Sequence, residues 1–361
     1  MSSKNILRQH AEDEYKAEIK AIIKQDKGQK PDNWNMSPKA VVQYILGGKL
    51  ADGTDIETKY YGERRLIEVA VATLVTDRAL LLMGIPGTAK TWLSEHLAAA
   101  ISGDSTLLVQ GTAGLAEDAL RYGWNYAQLI AEGPSEKALV ESPIINGMRN
   151  GRLVRIEELT RIPSDVQDTL LTVLSEKLLP IPELNKEVQA VHGFNVIATA
   201  NDRDKGVNEL SSALRRRFNT LVMPLPKSFD EEVKIVKTRI EKSSMKLKLP
   251  KNNVPTEEIK RLITIFRELR EGATADGKIK LKSPGSTLST AEAISVMNNG
   301  VALATHFGNG KVSAKDIAAS LNGAIVKDPT QDKIVWKEYL ETVVKKRKEW
   351  KDLYEACIKL V

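Results

Sequence analysis

The chain has 361 residues, 42% of them hydrophobic and 28% charged, with a formal net charge of +6. That length suits two domains and a small further element, and the balance is that of a globular protein. Long apolar runs are missing, so no membrane span is expected. A single cysteine, Cys357, excludes an intrachain disulfide framework and a cysteine-ligated zinc cluster.

The opening MSSKNILRQHAEDEYK has no apolar core, so a signal peptide is not expected and a reducing cytoplasm fits. Residues 1–26 read as a charged helix with a thin apolar stripe: Ile6, Ala11, Tyr15, Ile19 and Ile22. Residues 27–36 are a linker by composition. Ser37 and Pro38 then read as N-cap and first-turn proline of a helix that runs to Leu46 and stops at Gly47-Gly48. Together these define an N-terminal helical extension, 1–57, read as packing rather than as an interaction arm. A helix is expected over 65–76. Tyr61 and Gly62, just before it, are candidates for contact with a nucleotide base.

Ala79–Met83 has the length and apolarity of a buried strand. It breaks at Gly84-Ile85-Pro86-Gly87 and resumes at Lys90 as a helical pattern with Leu93, Leu97 and Ile101 on one face. Strand, glycine loop, Lys-Thr and helix is the context in which a P-loop match carries a mechanism. Loop amides at a helix N-terminus favour phosphate. The candidate nucleotide-binding residues are Gly84, Pro86, Gly87, Thr88, Ala89, Lys90, Thr91 and Trp92. Lys90 would reach the β- and γ-phosphates and Thr91 would ligate Mg²⁺. Ala89 stands where the pattern has a second glycine; a helical conformation there would tolerate the methyl group.

A second strand is expected over 106–110. Residues 113–150 are longer than a simple connection and read as an insertion, with a helical piece at 115–122 and with Trp124 and Tyr126 either exposed to grip a partner or pinning the loop to the core. Leu153–Ile156 is a strand ending in Glu157 and Glu158. At the carboxyl edge of a parallel sheet both would face the P-loop. Glu157 suits the metal role, with one methylene more than the usual Asp, and Glu158 suits orientation and deprotonation of water. A helix over 163–174 and a hairpin near 178–191 follow. The next strand, 194–200, ends at Asn201, whose amide would hold the attacking water or the γ-phosphate.

Arg215-Arg216-Arg217 precede a strand at 221–223. A guanidinium offered to a neighbouring subunit would stabilise transition-state charge, with Arg217 the first candidate and Arg216 the second. Beyond a helix at 229–241 and a lysine-rich linker at 243–256, helices are expected over 256–270, 287–305, 313–326 and 331–359. The basic run Lys345–Lys348 sits in a segment, 331–361, that is +2 from eight Lys/Arg less six Asp/Glu, so a solvated helix is the better reading.

The motifs GIPGTAKT, LVRIEELTRIPSDVQDTLLTVLSE, a hairpin, VIATAND and ALRRRF occur in that order. The set resembles the MoxR group of AAA+ ATPases, in the branch with a helix-2 insert and a pre-sensor hairpin, over roughly residues 58–330. The resemblance implies an α/β P-loop core with a parallel sheet (58–242), then an all-helical lid and C-terminal helix (243–361). It also implies Mg²⁺-dependent ATP hydrolysis in a homo-oligomeric, typically hexameric, ring. Lys90 and Thr91 take the Walker-A roles, Glu157 and Glu158 the Walker-B roles, Asn201 that of sensor 1 and Arg217 that of the arginine finger. The group acts as chaperones that remodel a partner protein, often one with a von Willebrand factor A domain. Two departures stand out. The lid segment Gly285–Thr290 lacks the sensor-2 arginine: either a neighbour's Arg215 or Arg216 substitutes, or turnover is slow. Arg216 replaces the Asp that often precedes the finger, a pairing also found in McrB-like restriction ATPases. The competing readings are a nucleic-acid-linked motor or restriction subunit and a nucleotide-dependent assembly module without turnover.

Overall fold

Five parallel strands carry the first part of the molecule: β1 (Ala79–Gly84), β2 (Leu108–Gln110), β3 (Leu153–Glu157), β4 (Asn195–Asn201) and β5 (Phe218–Val222). In this computed structural model they lie in the order β5-β1-β4-β3-β2. The structure describes residues 6–201, 208–246, 254–285 and 287–361. Asp202 of VIATAND, residues 247–253 of the expected linker and Ser286 lie outside them. The chain divides into two units, Met1–Ile85 with Ala89–Met223, and Pro86–Thr88 with Pro224–Val361.

Alternation along the strands sends neighbouring residues to opposite faces. Leu80 and Leu82 join one buried cluster, and Leu81, Val154, Ile156 and Ala198 join the other. Both faces of the sheet are therefore covered, as a parallel sheet requires. The register sets Asn201 beside Gly84 and Gln110 beside Glu157. Three chemistry-bearing strands thus end along one carboxyl edge.

The N-terminal helices, Ala11–Glu14, Lys16–Gln25 and Pro38–Leu46, belong to this first unit. Tyr15, Ile19, Ile22 and Tyr44 share a core with Leu80, Leu93 and Leu97. Polar contacts add to it: Arg8 pairs with Glu95, and the Ser105 backbone N–H and hydroxyl donate to Glu12 at 3.1 and 2.7 Å. Ser37 caps its helix by accepting from the Ala40 N–H at 3.3 Å.

The inserted region differs from the expectation. A helix over 115–122 does not form; a single 3₁₀ turn, Glu117–Ala119, leads into a strand, Tyr122–Trp124, antiparallel to Leu139–Glu141. Tyr122 and Trp124 meet edge-on at 5.8 Å, a cross-residue contact that favours extended backbone. Of the two aromatics, Trp124 is half-buried there, while Tyr126 is 74% exposed. Leu178–Ile181 pairs with Lys186–Gln189 as a hairpin.

The second unit is helical: Phe229–Lys246, Thr256–Glu271, Thr290–Phe307, Ala314–Ile325, Gln331–Thr342 and Lys351–Ile358 pack around Phe266, Trp336 and Tyr339. The single helix expected over 331–359 is broken. Val343 and Val344 are buried, and Arg347 takes extended backbone (ψ 106°) so that its guanidinium reaches Glu268 at 2.5 Å. A tertiary ion pair overrides local helix preference here. The same pairings, with Lys345 on Glu341 at 2.7 Å, occupy part of the basic run. Cys357 is buried, and burial pushes its thiol up to about 12. No helix among the described residues is long and apolar enough to cross a membrane.

Candidate nucleotide site

The loop after β1 begins at the buried strand end, Gly84, and passes through Pro86, Gly87 and Thr88 to the helix Lys90–Ser102. Gly87 has a φ of 81°, which an L side chain rarely adopts. The helix starts from Ala89, whose backbone is not the helical one that would tolerate the methyl group but left-handed, with φ 63° and ψ 24°. A methyl group in that region costs about 1–2 kcal/mol, which explains why the general pattern has glycine there. No side chain caps this N-terminus. Its first-turn N–H groups and the helix dipole are suited to an anion. Lys90, 8% exposed, donates from Nζ to the carbonyls of Gly84 and Ile85 at 2.7 and 2.9 Å. Its ammonium is thereby held within the loop.

Glu157 at the end of β3 is 2% exposed and accepts four hydrogen bonds. Thr91 donates to Oε2 at 2.8 Å and Thr199 to the same oxygen at 2.7 Å. Arg155 donates to Oε1 at 2.8 Å, and the Ser94 hydroxyl donates there as well. This carboxylate therefore joins the P-loop helix, β3 and β4. Glu158, next in sequence, differs in exposure and in backbone conformation. Its side chain is 38% exposed and its Oε2 lies 2.5 Å from Arg161 Nε. Its backbone is left-handed, φ 55°, a conformation that is costly for Glu and that gathers at functional sites. Thr199 stabilises that turn by accepting from the Glu158 N–H at 3.0 Å. Gly111 completes it: its N–H donates to the Glu157 carbonyl at 2.7 Å, and a Cβ there would lie 2.3 Å from the Glu158 carbonyl oxygen.

Asn201 ends β4 beside Gly84, two residues beyond Thr199. Tyr61 and Gly62 lie close in sequence to a fixed point: the Trp92 indole N–H donates to the Lys59 carbonyl at 2.8 Å. The Lys59 ammonium is buried, pairs with Glu18 and sits 4.4 and 4.5 Å from the ring centres of Tyr15 and Tyr44. The arginine run is divided. Arg217 is half-buried and donates to the Ser175 hydroxyl and the Ala213 carbonyl, both at 2.8 Å. Arg215 and Arg216 are exposed and, with Glu209, Leu210 and Ser212, line a cleft of about 390 Å³.

Two residues of this arrangement escape a reading of the sequence. Arg155 lies inside an apolar strand and Thr199 inside another, and neither belongs to a spacing pattern. The only available signal was a charged residue within the buried run Leu153–Ile156. The oxygen donors Thr91, Glu157 and Glu158 are of the hard type that Mg²⁺ takes. The Thr91 proton points at Glu157, which leaves the hydroxyl oxygen's lone pairs for a cation. Among the described residues no cluster of three His, Cys, Asp or Glu side chains could hold an ion alone. That suits a metal that arrives with phosphate oxygens.

Residues 79–218 match the family described as AAA domain (dynein-related subfamily), and residues 230–360 match the YehL-like AAA+ ATPase C-terminal domain. The chain is 39% identical to the uncharacterised protein YehL of Escherichia coli K12 over 348 residues, which covers 95% of this chain and 94% of that protein. It is 30% identical to the uncharacterised protein SH1500 of Staphylococcus haemolyticus over 41% of this chain and 56% of that one. Among solved structures, NtrX from Brucella abortus in complex with ADP is similar in fold, with a TM-score of 0.50 at 12% identity, covering 82% of this chain and 61% of that one.

Proposed function

The chain belongs to the YehL-like family of AAA+ ATPases and is an ATPase, and on that premise we propose that hydrolysis takes place at the carboxyl edge of β1, β3 and β4. The observation that carries this reading is the Thr91–Glu157 hydrogen bond of 2.8 Å, with Glu158 next to it on a strained, partly exposed turn. Lys90, Thr91 and the loop residues Gly84 to Ala89 bind the phosphates, and Tyr61, Gly62 and Trp92 lie at the base end. Thr91 and Glu157 are the residues that would hold Mg²⁺, which would supply positive charge to neutralise the phosphates. Glu158 accepts the proton of the attacking water, and Asn201 orients that water.

The enzyme works as a ring, hexameric by the MoxR-type reading of its motifs, with the arginine run serving the next subunit's site. The exposure of Arg216 and Arg215, against the tethering of Arg217 to Ser175, favours Arg216 as the residue that crosses, with Arg217 holding the turn. The ring remodels or activates a cytoplasmic partner protein, one with a von Willebrand factor A domain in the MoxR pattern. Under this reading 1–57 is the N-terminal extension, 58–242 the core and 243–361 the lid and C-terminal helix.

Replacing Glu158 by Gln tests the assignment. ATP binding is retained, and phosphate release falls by about 10²–10⁴-fold. The stalled form traps its client in an ATP-dependent pull-down. Unimpaired phosphate release would remove Glu158 from the mechanism, and DNA-stimulated turnover would favour a nucleic-acid motor instead.

A further inference from the structure

Arg155 is the unusual residue of the site. It occupies the middle of a strand buried on both faces, and its side chain is only 5% exposed. Every guanidinium nitrogen has a partner. Nε donates to the Ser94 hydroxyl at 3.1 Å, Nη1 to the Ser105 carbonyl at 3.0 Å, and Nη2 to Glu157 Oε1 at 2.8 Å and the Thr91 carbonyl at 3.3 Å. Three of these four partners, Thr91, Ser94 and Ser105, lie on or just after the helix that begins with Lys90. The fourth is the carboxylate proposed to face the metal. A rigid planar fork is the side chain suited to such a set.

We propose that Arg155 is a positioning residue that presets the electrostatics of the nucleotide site, an inference that rests on the proposed Thr91–Glu157 metal site. It does two things. It fixes Glu157 so that Oε2 accepts the Thr91 proton, and it cancels the Glu157 charge from one hydrogen bond away. The metal-side wall then presents a neutral pair rather than a bare carboxylate. ATP without Mg²⁺ meets little repulsion there, so binding depends only modestly on the metal. Without Arg155, the buried carboxylate repels the phosphate chain and attracts the cation, and that dependence becomes steep.

The test measures nucleotide affinity with a fluorescent ATP analogue, with Mg²⁺ and with excess chelator, in the full chain. The quantity read is the ratio of the two dissociation constants. Arg155→Met raises the ratio about tenfold, mainly through weaker metal-free binding. Arg155→Met combined with Glu157→Gln returns it close to the original value, because the charge and its counter-charge are both gone. Arg155→Lys keeps the ratio, and Arg155→Gln, which removes the charge but keeps a polar side chain, raises it as the methionine variant does and serves if that variant does not fold. A ratio equal in all variants, or one raised in the single and double variants alike, overturns the role of Arg155. A ratio of one in the unaltered protein overturns the metal-site reading itself.

Discussion

Both units of this protein bury carboxylates, but they use them differently. In the helical unit Glu232 accepts from Arg267, Arg270 and Thr290, and Glu268 accepts from Tyr339, Arg347 and the Ala275 N–H. Each joins helices distant in sequence. The backbone around them is relaxed: no non-glycine residue with positive φ occurs among the described residues of that unit outside its glycines. In the α/β unit Glu157 is equally buried and equally satisfied, yet Glu158 and Ala89 beside it are both left-handed. A saturated buried carboxylate by itself marks only architecture. Left-handed backbone by itself does not mark a site either, since Asn33, Lys177 and Asn185 of the same unit share it; its combination with a partly exposed second carboxylate is what sets the proposed site apart.

A matched pair of substitutions puts that comparison under the greatest load. Glu157→Gln and Glu268→Gln each leave a guanidinium, Arg155 or Arg347, without its counter-charge. Each is expected to cost about 3 kcal/mol of stability, read as a loss of thermal midpoint. Below their melting temperatures the two must part: phosphate release collapses in Glu157→Gln and persists in Glu268→Gln. Equal loss of turnover in both would erase the distinction between the two regions.

Much of this organisation is legible in the residues. The apolar runs at Ala79 and Leu153 locate strands because burial on both faces leaves no period-2 pattern, and the α/β class follows from their alternation with helices. The loop and the carboxylate pair are local in sequence, so their neighbourhood at one sheet edge can be read from strand polarity alone. The Arg155 fork and the Thr199 bridge are tertiary, made by side chains that meet only after β3 and β4 pair and the P-loop helix docks. The left-handed backbone of Ala89 is not legible in the sequence, because alanine favours helix. The break at Val343–Arg347 is not legible there either, because Glu268, which draws Arg347 out of helical backbone, lies 79 residues away.

Asp332 provides a smaller and pH-dependent contrast. It is 2% exposed and accepts backbone N–H bonds from Gly285, Lys327 and Asp328 at 2.7, 3.0 and 2.8 Å. Burial acts to raise its pKa, but the three amides outweigh it and hold the carboxyl below its ordinary value of 3.8. The sign follows. A group with a depressed folded pKa stabilises the fold above its unfolded value, and that contribution is lost as pH falls through the folded value. Asp332→Asn is therefore expected to lose about 1–3 kcal/mol at neutral pH. Its deficit relative to the unaltered protein should shrink on acidification below the usual Asp range, followed by urea unfolding. A deficit that is constant with pH would make the loss one of shape rather than of charge.

The smallest expected effect is the most pointed, because it goes back to the strain that separates the two regions. Ala89→Gly relieves a left-handed alanine, a gain of about 1–2 kcal/mol, and loosens the unfolded chain, a loss of about 0.4–1 kcal/mol. The net is a stabilisation of roughly 0.5–1 kcal/mol by the same estimates, seen as a slightly higher thermal midpoint. Nucleotide affinity should hold or rise, since the carbonyl of Ala89 that receives the Leu93 N–H at 2.9 Å is kept by glycine. A lower midpoint would mean that the methyl group makes packing contacts that compensate its conformation. The left-handed start of the helix would then be a relaxed feature of this loop, and strain would remain as the distinguishing mark at Glu158 alone.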